Sequence, residues 1–126
     1  MKQEVKAYLD TVAGRRAQHL QKQDPSIKAS HTLDDRAPRG VVKAEKEGSI
    51  VAFEFIETAK TAAVHAYLED YVFAANEFGT VSVALPETDY TPAIATTILS
   101  DLRGRIAKSG ATRKFIFAGY LYDGMC

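Results

Sequence analysis

Glu54 is the residue whose chemistry most demands an explanation in this chain of 126 residues. It interrupts Ile50-Val51-Ala52-Phe53-Glu54-Phe55-Ile56, a segment apolar on both alternating faces. A carboxylate in such a strand is costly unless it is paired with a cation or bound to a metal. It therefore reads either as structural, paired with Lys43 or Arg39 or facing solvent near a sheet edge, or as a site residue. A second acidic spot is Asp34-Asp35, in the Pro- and Gly-containing stretch 34–40. There Asp ordinarily shapes turns, with metal ligation as the alternative. A third group is basic: Arg103, Arg105, Lys108, Arg113 and Lys114 gather where a helix should give way to a strand. Such a cluster either contacts phosphates or complements a helix C-terminus and solubilises a strand end.

Other chemistries are disfavoured. The glycines are isolated, with no phosphate-cradling GxGxxG or GxxxxGK[ST] loop and no Gly-x-Ser-x-Gly elbow. His19, His31 and His65 are too scattered for a local zinc motif. His31, close to Asp34, remains a candidate ligand or base, and His65 with Glu69 reads as a surface pair. Cys126 is the single cysteine, so neither an intrachain disulfide nor a cysteine metal cluster forms. Sixteen Lys+Arg balance sixteen Asp+Glu, giving a net charge of zero. That excludes gripping nucleic acid or anionic membrane by bulk charge but leaves a local basic face open. A surface without net charge also invites self-association, so a homo-oligomer is expected. The N-terminal stretch lacks the apolar core of a signal peptide, and no apolar run approaches the length of a membrane span. The expectation is a soluble, cytoplasmic protein with no membrane partner.

These residues have to be placed by elements that can be read from periodicity. Val5, Leu9, Val12, Ala13 and Leu20 follow helical spacing and predict an amphipathic first helix ending before Asp24-Pro25. Residues 27–33 alternate as a short half-buried strand. Residues 41–46 and 49–57 flank Glu47-Gly48 and predict a tight hairpin. Its second arm is apolar on both faces, so it belongs mid-sheet. Val64, Tyr67, Leu68, Tyr71, Val72 and Ala75 then form a helical stripe leading to Gly79, and Thr58 or Thr61 is expected to cap that helix. Residues 80–85 read as a strand. Thr91-Pro92 reads as N-cap and first helical residue, opening a helix that runs toward Gly110. Residues 112–122 form an aromatic last strand, with Tyr120 and Tyr122 expected as exposed aromatics for a partner subunit. The whole of 1–126 reads as one α/β domain with no linker. The expected order is α-β-β-β-α-β-α-β, a mixed sheet with an antiparallel meander followed by two crossover helices packed on its faces.

In element order the chain resembles the PD-(D/E)XK nuclease (restriction endonuclease-like) fold over nearly its whole length. Residues 67–86 are similar in texture: helix, Gly, short apolar strand, then Pro. The resemblance implies a Mg²⁺-dependent enzyme that cuts nucleic-acid phosphodiester bonds. It implies Asp34, Asp35 and Glu54 as metal ligands, with Asp35 and Glu54 catalytic. It also implies a lysine two residues beyond Glu54 that orients the nucleophile or stabilises the pentavalent centre. That position is Ile56, so the triplet is incomplete.

A substitute lysine is available if the hairpin register is simple. With a two-residue loop, Lys43 faces Ala52 and Val41 faces Glu54. Lys43 then shares the face of Glu54, on a diagonal of about 7–8 Å that a long side chain spans. Lys60 is a second donor, and Glu4 a further acid. The basic cluster from Arg103 to Lys114 would contact the phosphates. The alternative is a non-catalytic, homo-oligomeric interaction or regulatory module in which Glu54 is neutralised by a neighbouring cation.

Overall fold

The protein was analysed as a computed structural model that describes residues 3–34, 36–62 and 67–123. Asp35, Val64, His65 and Cys126, all considered above, lie outside those residues.

The elements are α1 (Gln3–Gln23), β1 (Lys28–Leu33), β2 (Gly40–Lys46), β3 (Ser49–Ile56), α2 (Leu68–Phe78), β4 (Thr80–Pro86), α3 (Pro92–Lys108) and β5 (Ile116–Tyr122). This is the α/β order expected from the sequence. One five-stranded mixed sheet runs β1-β2-β3-β4-β5. The β1–β2 and β2–β3 pairs are antiparallel, and the β3–β4 and β4–β5 pairs are parallel. β3 is central, as its two apolar faces require.

The sheet separates two cores. On one face α1 presents Leu9, Ala13 and Ala17, four residues apart, to Val42, Ile56, Ala84 and Tyr122. Small residues let α1 lie close: a Cβ on Gly40 would sit 3.3 Å from the Ala13 Cβ. On the opposite face α2 and α3 cover Phe55, Val81, Val83 and Leu85 with Tyr71, Ala74, Ala75, Leu102 and Ile106. No helix among the described residues is long and apolar enough to cross a membrane.

Local signals are realised where short-range chemistry dominates. Thr91 Oγ1 accepts from the Ile94 N–H, and Pro92 opens α3. Gly79 ends α2 at φ 71°, and its N–H donates to Ala75 O. Glu47 (φ 53°) and Gly48 (φ 80°) both take positive φ in the β2–β3 turn, the pattern that matches strand twist.

Three expectations change. Thr58 and Thr61 do not cap α2; the Thr58 N–H donates to Thr61 Oγ1 in a turn that precedes it. The last strand begins at Ile116 rather than near Thr112. Asn76 of α2 holds the preceding stretch instead, accepting from the Thr112 N–H and receiving Arg113 on its carbonyl. The third change concerns register. Lys46 pairs with Ser49 and Glu45 with Ile50, but Ala44 pairs with Ala52, leaving Val51 as the extra residue of a β-bulge. Beyond the bulge Val42 lies opposite Glu54 and Lys43 opposite Phe53.

Candidate functional site

Because side chains alternate along a strand, a one-residue shift exchanges faces. Val42 and Glu54 therefore face α1, while Lys43 stands with Phe53 on the opposite side. The expected Lys43–Glu54 diagonal does not form. The Lys43 ammonium instead lies 3.9 Å from Glu45.

Glu54 is instead engaged by α1 and β5. Arg16 donates to both carboxylate oxygens, Nε to Oε1 at 2.7 Å and Nη2 to Oε2 at 2.9 Å. Tyr120 Oη donates to Oε1 at 2.8 Å. The guanidinium also lies over the Tyr120 ring, 4.8 Å from its centroid. A bidentate guanidinium supplemented by a phenol is the arrangement that makes a buried carboxylate tolerable. The Glu54 hydrogen bond is the main reason the Arg16 pKa is raised. Burial, reinforced by the Glu54 charge, pushes the Tyr120 hydroxyl far up, so it remains a donor. The Tyr120 hydroxyl thus points inward, and the side chain is half-buried rather than exposed. Tyr122 is buried, and its hydroxyl donates to Glu57 O at 2.6 Å.

A second ionic cluster, on the α2 side, escaped the sequence reading. Arg39 is 1% exposed and stacks over Phe55, Tyr67 and Tyr71, with centroid distances of 4.6, 4.5 and 5.8 Å. Three carboxylates surround its guanidinium: Asp70 at 3.1 Å, Asp34 at 3.5 Å and the fully buried Glu57 at 3.7 Å. Arg36 adds a bridge, contacting Asp34 at 3.1 Å and Asp70 at 3.0 Å. Tyr71 donates to Glu57 Oε2. Among the described residues Arg39 Nε, Arg39 Nη1 and Glu57 Oε1 have no hydrogen-bond partner. The interaction is therefore one of proximate charge and ring faces more than of directed bonds.

Burial raises the pKa of Glu57, against the pull of Arg39 and Tyr71. Burial also works against the Asp34 carboxylate, yet hydrogen bonds from Arg36 and the charges of Arg36 and Arg39 bring its pKa below the usual value.

Asp34 and Glu54, read together as metal ligands, thus make their ionic contacts in different clusters on different faces. Among the described residues no three His, Cys, Asp or Glu side chains are grouped to hold a metal ion. The acids that do converge, Asp34, Glu57 and Asp70, converge on a guanidinium. The described acids therefore do not assemble the Mg²⁺ site that the nuclease resemblance implies, and its third implied ligand, Asp35, lies outside the described residues.

The remaining candidates are dispersed. Arg103, Arg105 and Lys108 belong to α3, across the sheet from Glu54, so one phosphate cannot bridge them and Glu54. Arg105 pairs with Asp101 at 2.7 Å. Arg113 packs over Gly79, where a Cβ would lie 2.7 Å from its Nη2, and Lys114 is exposed. His31 contacts Asp10 at 3.0 Å. Glu4 is exposed on α1. Lys60 lines an open cavity of about 490 Å³ with Val5, Tyr8, Pro38, Thr58, Ala59 and Asp89.

Comparison with protein-family models and with curated proteins finds no match for this chain.

Proposed function

We propose that this chain is a non-catalytic α/β module whose work is protein–protein association, with another copy of itself as its partner. The observation that carries the reading is the outer edge of β5. Its seven residues, Ile-Phe-Ala-Gly-Tyr-Leu-Tyr, contain no charge and no proline, and among the described residues no strand pairs with that edge. Beside it Ile116 is 72% exposed, and Ala118 is also exposed. Soluble proteins usually blunt an open edge with charge, proline or a covering element, and a long apolar edge without these invites another chain.

Against phosphodiester cleavage stands the engagement of the would-be site. Both Glu54 oxygens receive Arg16, Asp34 belongs to the Arg36–Arg39 cluster, and Lys43 faces away. Element order alone is an argument about fold, not activity.

Light scattering over a range of protein concentrations tests the reading, beside incubation with plasmid and single-stranded DNA in Mg²⁺ or Mn²⁺. The expected result is concentration-dependent association, weakened about tenfold or more by Ala118→Lys, with both DNAs intact. Metal-dependent cleavage that disappears in Glu54→Gln would overturn it.

A further inference from the structure

We infer that two copies join through β5 in antiparallel register about a two-fold axis at Gly119, merging their sheets into one. The inference rests on the association reading above and specifies its geometry.

The backbone of β5 supplies the argument. The Ile116 N–H donates to Gly79 O, and Tyr122 O accepts from the Glu87 N–H. Both residues therefore turn their polar groups toward β4, and strand alternation gives Ala118 and Tyr120 the same orientation. Phe117, Gly119 and Leu121 turn theirs outward. These three positions are symmetric about Gly119. A two-fold axis there sets Phe117 against the partner's Leu121 and Gly119 against the partner's Gly119. Each such pair exchanges two bonds, about six in all. An axis through Ala118 or Tyr120 would push one outward residue past the end of the strand. The axis at Gly119 uses all three.

The side chains suit the same register. Ile116 comes opposite the partner's Tyr122 and Ala118 opposite the partner's Tyr120, so apolar and aromatic groups meet and no like charges face each other. A chain of zero net charge adds no global repulsion. The other sheet edge is treated differently. The Ala29 N–H of β1 is capped by Gln21 Oε1 of α1 at 3.2 Å, and Lys28 stands exposed at its end. Pairing is thereby directed to β5, which closes a dimer instead of extending a filament.

The test combines amide exchange with spin labels in the full chain. Under dimer-forming concentrations the Phe117, Gly119 and Leu121 amides should exchange slowly, and dilution should release them. The Ala118 and Tyr120 amides, bonded within the sheet, should stay protected throughout. In a Cys126→Ser background, nitroxides at position 118 should lie with backbones about 8 Å apart and those at 116 about 20 Å apart, from strand rise and spacing. Self-association with concentration-independent exchange at 117, 119 and 121, or with the two label distances reversed, would overturn this geometry and leave the association reading standing. A chain that stays monomeric and cleaves nucleic acid would overturn both.

Discussion

Replacing Arg39 by Met removes the guanidinium while keeping an unbranched stem against the Phe55, Tyr67 and Tyr71 rings. What remains is Glu57, fully buried, with its cation gone. Asp34 and Asp70 retain Arg36, so the damage concentrates on Glu57. Stranding one member of a buried pair costs about 3–5 kcal/mol, a large part of the roughly 5–15 kcal/mol that holds a domain together. With a urea dependence of about 2 kcal/mol/M, the unfolding midpoint should fall by about 1.5–2.5 M. Adding Glu57→Gln removes the stranded charge and leaves an amide that still accepts from Tyr71. The double variant should therefore recover at least about 1 kcal/mol relative to Arg39→Met alone, as coupling across a contacting pair predicts. Urea titrations of the four proteins measure this directly. A loss under about 1 kcal/mol for Arg39→Met would refute the claim that Arg39 offsets the burial of Glu57. So would a double variant as unstable as the two single losses combined.

Four further outcomes follow from contacts of individual residues. Glu57 titrates above its ordinary value of 4.5 when folded, so the folded state binds its proton more tightly than the unfolded chain. Its contribution should decline as pH rises from about 4.5 through the folded pKa, and stability curves of wild type and Glu57→Gln should diverge in that window. Asp34 acts oppositely: its pKa is lowered from 3.8, so its stabilisation is present above that value and is lost as acid titrates it, a loss that Asp34→Asn should lack. Gly119→Ala places a Cβ 2.5 Å from Leu99 Cδ1, and thermal melts should show a loss of about 1–3 kcal/mol, largely restored by Leu99→Ala. Glu54→Gln breaks the bidentate bond to Arg16 and should cost about 1–3 kcal/mol in a melt, with the same cost in the presence and absence of Mg²⁺.

What the sequence determined by itself is local. Threonine before proline starts α3, glycine at positive φ ends α2, and Glu47-Gly48 turns the hairpin, because each depends on bonds between residues a few positions apart. The apolar periods likewise give the order of elements and the central place of β3. They also single out Glu54 as a carboxylate needing company. Its companion was decided only by tertiary structure, since Arg16 lies 38 residues earlier, on a helix whose contact with β3 no local pattern specifies. The bulge at Val51 is equally silent in the sequence, yet it moves Lys43 to the other face of the sheet. Arg39 and Glu57, at a loop end and a strand end, showed no periodicity that would mark them as buried. Periodicity fixes which side chains of one element point together. Which elements those side chains meet is set by sheet register and by the face each helix covers, and here these convert the expected site into two separate ion-paired clusters.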